Sequence, residues 1–334
     1  MRWSEPAGLL AIGLLAWLVS WAGTRWAIRH AQVHGLHDLP GERRSHAVPT
    51  PRGGGIGIAA AGLAALLLLA ATDDTPTAWL AMAMGLSLVA GIGWWDDHRD
   101  LPATPRLVVH VVAAALLAAG WWLHGAGPIV AVVAFLAAVF LVNAWNFMDG
   151  IDGLATSQAM LCGVAFAAML PAPEGMVGVA LAAACLGFLP SNLPRARVFL
   201  GDVGSGTLGF LVAMLLAAGL SASGRAQWPV LLLPVLAMSV DVGLTLGWRM
   251  RRGERWWQAH VQHAYQRWSR RSGHGTVAFA YAIWTALACG FMLWWLGYGL
   301  PGALPALLAW VVAAVLAWRV LHREAGGRTE GIGA

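Results

Sequence analysis

The sequence predicts an all-α, polytopic membrane helix bundle of about eleven transmembrane helices, with its N-terminus outside and its C-terminus cytoplasmic. Three observations predict it. Of 334 residues, 59% are hydrophobic and only 11% are charged, where a soluble domain carries roughly 25% charged residues. The apolar residues fall in runs near the roughly 20 residues that a helix needs to cross a hydrocarbon core of about 30 Å. All 21 basic residues are arginine, and 19 of them lie in loops of one side, leaving Arg2 and Arg225 for the other. The arginine-rich side is the cytoplasmic one.

The runs lie near 7–28, 53–71, 78–95, 105–123, 128–145, 153–170, 174–190, 203–221, 228–248, 277–297 and 301–321. An odd number places the termini on opposite sides. The first run lacks a positive n-region and a small-residue cleavage site, so it reads as a retained span rather than a signal peptide. Pro171-Ala172-Pro173 splits the sixth run from the seventh. Cys162, Cys185 and Cys289 sit inside apolar runs and read as small hydrophobes, with no disulfide, zinc site or nucleophile. On the outer side, Glu5, Asp73, Asp74 and Glu174 read as solvated caps in short loops. A net charge of +5 raises nucleic acid as a partner, but the arrangement of the arginines follows membrane topology instead. The partners expected are the lipid bilayer and no nucleic acid.

Three polar strings interrupt the apolar pattern, each at the cytoplasmic end of a run. Carboxylates are costly in lipid, so acids at these boundaries need a reason. Clustered acids that cannot easily pair with one another suggest a bound divalent metal and an anionic substrate. The first string is Trp95-Asp96-Asp97-His98. Adjacent carboxylates on a helix point apart, and a cation would relieve their repulsion. Arg106, at the start of the fourth run, falls on the same face and can anchor a phosphate. The bland alternative is a solvated helix end beside Arg99.

The second string runs from Asn143 to Gly153, with Asn143, Asn146, Asp149 and Asp152 every third residue. Neighbours in such a series share a helix face, and Gly150 and Gly153 allow unwinding that would bring both aspartates toward one point. Amide and carboxylate oxygens at this spacing suit Mg²⁺, which takes a few protein oxygens, water and substrate phosphate. A simple N-cap role for Asp152 explains one acid, not four polar residues in register. The third string, Gly201-Asp202-Val203-Gly204-Ser205, opens the eighth run. Free amides there make an anion site, or Asp202 is merely an N-cap.

Two further segments qualify. Ser45 to Gly55 contains Pro-Thr-Pro-Arg-Gly-Gly-Gly, where Arg52 can chelate phosphate oxygens. His260-Val261-Gln262-His263-Ala264-Tyr265-Gln266-Arg267 offers His and Arg for a diphosphate and Tyr265 for stacking on a base, or else is a basic interfacial helix beside a Trp256-Trp257 belt. Asp241, inside the ninth run, is a buried structural partner or part of the pocket.

Together these strings resemble the polyprenyl-phosphate N-acetylhexosamine-1-phosphate transferases. That superfamily includes the enzymes that start O-antigen, enterobacterial common antigen and teichoic acid linkage units, and the phospho-N-acetylmuramoyl-pentapeptide transferase. The likeness covers about residues 36 to 270. The muramoyl-pentapeptide branch carries adjacent histidines in the last cytoplasmic loop and Pro-Thr-Met-Gly-Gly near the first. This chain has His-Ala-Tyr-Gln and Pro-Thr-Pro-Arg-Gly-Gly-Gly, which looks like the branch that initiates O-antigen with UDP-N-acetylfucosamine or UDP-N-acetylquinovosamine. The basic residue after the Asp pair is usually lysine there. Arg106 holds that place here and cannot serve as a proton carrier.

The resemblance implies one transmembrane catalytic domain, 1–334, with active-site loops near 29–52, 96–105, 146–152, 191–202 and 249–276. It implies transfer of an N-acetylhexosamine-1-phosphate from a UDP-sugar to undecaprenyl phosphate at the inner membrane, with release of UMP. Asp96, Asp97, Asp149 and Asp152 would be catalytic, and Asp202 with Asp149 would hold Mg²⁺, or Mn²⁺ in its place. Arg52, Arg106, Asn143, Asn146, Ser205 and His263 would bind substrate. A homodimer is compatible with this reading. The alternatives are a UDP-N-acetylglucosamine-using member of the superfamily, or a transporter of nucleotide sugars or lipid-linked sugars.

Overall fold

Every apolar run is helical in the computed structural model, which describes residues 6–38, 48–193, 195–255, 258 and 260–323. The helices are α1 (Pro6–His34), α2 (Ile56–Thr72), α3 (Pro76–Arg99), α4 (Ala103–Leu123), α5 (Gly127–Met148), α6 (Leu154–Met169), α7 (Glu174–Asn192) and α8 (Gly201–Ala222). They continue as α9 (Trp228–Leu231), α10 (Leu236–Arg251), α11 (Ala264–Ser272), α12 (His274–Gly297) and α13 (Ala303–Arg323). Among the described residues nine helical segments are long and apolar enough to cross a membrane, counting 225–251 as one. The chain is therefore an all-α polytopic membrane bundle. The other two apolar helices are shorter, with 17 residues in α2 and 16 in α6. The residues before them, Arg52–Gly55 and Asp149–Gly153, are loop and turn rather than helix.

The ninth run departs from the single helix expected over 228–248. Proline lacks an N–H and cannot extend a helix behind it. Pro229 and Pro234 accordingly break the run into α9, a 3₁₀ turn at Leu233–Val235, and α10. A two-residue antiparallel ladder was also not anticipated: β1 (His37–Asp38) pairs with β2 (Thr50–Pro51), His37 opposite Pro51.

Helix α8 is the centre of the bundle. Its residues from Val203 to Leu220 are all buried, as an all-round apolar helix must be. It packs on α3 and α5. At Gly93 of α3 a Cβ would lie 2.5 Å from the carbonyl carbon and oxygen of Asp202. Only glycine permits that approach, and it brings the first turn of α8 against the last turns of α3. The segment before α2 lies against the same place: Phe199 N–H donates to Pro51 O at 2.8 Å, Gly54 N–H to Phe199 O at 2.9 Å and Gly55 N–H to Leu200 O at 2.8 Å.

At the other end of the bundle Asp73 does cap α2, as expected, but it and Glu174 are also paired with neighbouring side chains. Asp73 accepts bonds from Thr75 Oγ1 at 2.7 Å and Trp79 Nε1 at 2.8 Å. Glu174 pairs with His124 Nε2 at 2.9 Å, tying α7 to the end of α4. Cys162, Cys185 and Cys289 are buried thiols. Arg2, Glu5, Ser45, Trp256 and Trp257, named from the sequence above, lie outside the described residues.

Candidate active site

Asp97 anchors the polar end of the bundle. Its Oδ1 accepts the Asp202 amide at 3.0 Å and its Oδ2 the Val203 amide at 3.2 Å. Those are two of the unpaired N–H groups that open any helix. The anion site expected at the start of α8 is thus filled by the protein's own carboxylate, which corrects that expectation. Asp202 is not the N-cap; it sits in the first turn, and Asp97 caps the helix from α3. Arg52 Nη2 lies 3.3 Å from Asp97 Oδ1, and Arg52 Nη1 3.3 Å from Asp100.

Asp96 points away from its neighbour, as adjacent helical residues must. Its Oδ1 accepts the Leu101 amide at 2.5 Å, and its Oδ2 meets Arg106 Nη1 at 2.6 Å. The same Arg106 nitrogen bonds Asp202 Oδ2. One guanidinium therefore bridges acids from α3 and α8. Asp96 and Asp97 are buried, whereas the side chains of Asp202 and Arg106 keep 22% and 28% exposure. The accessible edge of the cluster is thus Asp202 and Arg106, with Arg52 also 22% exposed.

The second string approaches from α5. Asn146 Nδ2 donates to Ser205 Oγ at 3.3 Å, joining α5 to α8. Asn143 bonds back to Val139 O at 2.7 Å, beside His110 of α4. Helix α5 stops at Met148, so Asp149 is already in the turn. Burial, then the charges of Asp202, Asp97 and Asp152, hold the Asp149 carboxyl well above the usual carboxylate range. Burial contributes most to that shift, and the three neighbouring acids add to it.

Asp152 turns elsewhere. It accepts the Ala196 amide at 3.1 Å and lies 3.2 Å from His274 Nδ1 at the start of α12. Gly153, at φ +72°, supplies the expected unwinding and occupies the N-cap of α6, so Asp152 is not that cap. Gly150 serves packing instead, because a Cβ there would run into the Tyr265 hydroxyl.

His263 and its neighbours stand behind this cluster. His263 is 1% exposed and its Nδ1 is 3.5 Å from Asp241. Tyr265 is fully buried and donates to Phe147 O at 2.9 Å. A ring enclosed in this way has no free face for a base, so the stacking role expected for Tyr265 does not fit. Burial, then His263 and Arg249, push His260 down to about 4, which leaves it neutral. Asp241 proves to be a buried structural partner, accepting the Ala264 amide at 2.9 Å and the Tyr265 amide at 3.0 Å.

Sequence reasoning missed three residues here. Asn192 accepts the Gly153 amide at 2.7 Å and donates to Val198 O at 3.1 Å, fastening the Asp149–Gly153 turn to the α7–α8 connection. His274 supports Asp152, and His110 lies beside Asn143. Asn192 and His274 sit at helix ends, where a polar residue carries no signal of its own. His110 is one turn from Arg106, and that i, i+4 spacing was the available clue.

The donor set suits Mg²⁺ in kind. Among the described residues no three His, Cys, Asp or Glu converge closely enough to make a metal site alone. Mg²⁺ does not need such a cage, since it commonly takes one or two carboxylates with substrate phosphates completing its shell. Asp202, partly exposed, and Asp149, which stands among other acids, fit that pattern.

Known sequences point the same way. The profile of Glycosyl transferase family 4 matches residues 79–220, which contain all three acidic strings. The chain is 34% identical over 248 residues to the decaprenyl-phosphate N-acetylglucosaminephosphotransferase of Mycolicibacterium smegmatis, covering 65% of this chain and 60% of that protein. It therefore spans about three-fifths of the length of that mycobacterial relative. It is 31% identical over 276 residues to the phospho-N-acetylmuramoyl-pentapeptide-transferase of Thermosynechococcus vestitus, covering 69% and 68% of the two chains. A probable undecaprenyl-phosphate N-acetylglucosaminyl 1-phosphate transferase of Bacillus subtilis is 27% identical over 232 residues, 62% of each chain. With its acids gathered at one end of an apolar bundle and two-thirds of a relative's length matched at this identity, the chain belongs to glycosyl transferase family 4, the superfamily of polyprenyl-phosphate N-acetylhexosamine-1-phosphate transferases.

Proposed function

We propose that this protein transfers an N-acetylhexosamine-1-phosphate from a UDP-sugar to undecaprenyl phosphate, releasing UMP. The reaction takes place at the cytoplasmic face of the bacterial inner membrane and starts a lipid-linked polysaccharide of the O-antigen type. The observation that carries the reading is the set of carboxylates from α3, the turn after α5 and α8 gathered with Arg52 and Arg106 at one end of the bundle. The skewed arginines favour placing that end in the cytoplasm, with the N-terminus outside.

A lipid phosphate oxygen attacks the β-phosphorus of the donor. The new P–O bond forms as the bond from that phosphorus to the bridging oxygen breaks, and the bridging oxygen leaves with UMP. The acceptor is a phosphate monoester with a second pKa near 6, so it is largely a dianion at pH 7 and needs no base. The tasks left to the protein are to hold two anions in line and to offset their charge. Mg²⁺, when bound by Asp202 and Asp149, supplies charge neutralisation at the diphosphate. Arg106, at the open edge, holds a phosphate oxygen and exchanges part of its pairing with Asp96 and Asp202 for that contact. Arg52 performs the same service beside Asp97. Asp97 itself, with both oxygens committed to α8, sets the position of Asp202. Asn146 and Ser205 fix α5 against α8, Asp152 steadies the turn that carries Asp149, and Asn143 stands beside His110 of α4.

Purified protein given a UDP-N-acetylhexosamine, undecaprenyl phosphate and Mg²⁺ should form a lipid-linked diphosphate sugar with one UMP per turnover. A transporter of nucleotide or lipid-linked sugars would form neither product. The acids at one face support an enzyme, because transporter sites commonly lie near the bilayer midplane.

The resemblance of the His-Ala-Tyr-Gln and Pro-Thr-Pro-Arg-Gly-Gly-Gly strings to the O-antigen branch supports a 6-deoxy donor, UDP-N-acetylfucosamine or UDP-N-acetylquinovosamine. The names of the mycobacterial and Bacillus relatives support UDP-N-acetylglucosamine as the second reading. An apolar contact for a C5 methyl rejects an added hydroxyl by only about a hundredfold, so slow use of the glucosamine donor is expected. Competition for kcat/KM decides between them. Equal or better turnover of UDP-N-acetylglucosamine would assign the protein to that donor.

A further inference from the structure

We propose that Asp241 and Tyr265 are positioning residues, which dock α11 on the bundle and through it hold the Asp149 turn in place. The functional consequence rests on the transferase reading above, but the mechanical link does not.

The link begins at Asp241 of α10, which is 2% exposed. Four donors converge on its carboxylate: the amides of Ala264 and Tyr265, Tyr281 Oη at 2.9 Å from α12, and Thr245 Oγ1 at 3.2 Å. The two amides are those that open α11. Withdrawing α11 would leave a buried carboxylate short of partners, which is far costlier than the net worth of the bonds themselves. A nine-residue helix is too short to be stable alone in water, so α11 depends on this attachment.

The second part of the link is Tyr265. Its hydroxyl donates to the carbonyl of Phe147, among the last four carbonyls of α5 and so without a helical partner. Asp149 follows two residues later. Gly150, the next residue, leaves room for that hydroxyl and nothing more. Beyond α11, His274 reaches Asp152. The last cytoplasmic segment therefore grips the Asp149 turn at Phe147, Gly150 and Asp152, and Asp241 holds that grip on the bundle. None of these contacts lies on the exposed edge formed by Asp202 and Arg106.

Tyr265→Phe removes one hydroxyl and keeps the ring, so it tests the grip without emptying the core. Hydrogen exchange is measured on the full-length protein in nanodiscs, together with kcat, KM and Tm. A peptide covering 147–153 should exchange about tenfold faster, the change expected for loss of one hydrogen bond of 1–1.5 kcal/mol. Its kcat should fall by about tenfold with the KM for UDP-sugar within about twofold, as for loss of an interaction felt mainly in the transition state. Asp241→Asn should speed exchange in 147–153 and at the start of α11, and lower Tm. A merely structural role would lower Tm and spread faster exchange across the bundle. Wild-type exchange at 147–153 in Tyr265→Phe would overturn the proposal, whatever happens to the rate. If the wild-type protein transfers no sugar phosphate, the functional reading fails while the exchange result still decides the link.

Discussion

Asp97 receives the amides that open α8, and Asp241 receives those that open α11. Locally the two arrangements are the same: a buried carboxylate from one helix caps the N-terminus of another across the fold. Their surroundings differ. Asp241 is completed by two amides and two hydroxyls, with His263 3.5 Å away, and among the described residues no second carboxylate shares those donors. Asp97 stands beside Asp96, Asp202 and Asp149, with Arg52 and Arg106 shared among them. A buried acid whose donors are all provided is structural. A group of acids with too few cations is prepared for something the protein does not itself contain. The difference separates scaffold from site more clearly than burial does, because both aspartates are nearly inaccessible.

The comparison can be broken in several ways. The largest effect should come from chelation. EDTA is expected to abolish turnover, and Mg²⁺ or Mn²⁺ to restore it, since loss of a phosphate-bridging cation removes several kcal/mol of transition-state stabilisation. Hydrogen exchange at the start of α11 should not change, because Asp241 is already satisfied. Gly93→Ala comes next. Its methyl would press on the Asp202 carbonyl, and a displacement near 1 Å costs about a hundredfold in rate. A wild-type rate in that variant would show that Asp202 tolerates movement. Gly150→Ala should be milder, at about tenfold in kcat, because the displaced group is the Tyr265 hydroxyl rather than backbone.

The smallest effect lies at the far end of the bundle. The hydrogen bond that His124 donates to Glu174 raises the imidazole above its ordinary value of 6.5, against an opposing effect of burial. A raised folded pKa contributes stability that is complete below the unfolded value and is lost as pH rises through the folded one. Tm should therefore fall by about 1–3 °C as pH rises from about 6 to about 9, and Glu174→Gln should remove that slope. A slope of opposite sign would mean that His124 is neutral when paired.

Much of this was legible in the sequence, because membrane constraints act on long runs. The apolar runs, their order and the three acidic strings are all where the residues indicated. What could not be read was which carboxylate caps which helix. Asp202 looked like the cap of α8 because it is adjacent, but the cap comes from Asp97, 105 residues away. Tyr265 looked available because its neighbours are polar, yet its burial depends on Phe147 and Gly150, more than a hundred residues earlier. The break at Pro229 and Pro234 was visible in the residues but outweighed by continuous hydrophobicity. Long-range pairing between helix ends leaves no periodic trace, and those pairings decide the roles of the acids.

Asp202→Asn beside Asp241→Asn is the most direct test of the distinction, with kcat and Tm measured on both. Asp202→Asn should lose about a thousandfold in kcat with Tm within about 2 °C of wild type, since a partly exposed ion pair adds little stability. Asp241→Asn should lower Tm by more than about 5 °C while the folded enzyme keeps turnover within about tenfold of wild type. Near-normal turnover in Asp202→Asn, or a larger rate loss in Asp241→Asn than in Asp202→Asn, would contradict the assignment of site and scaffold.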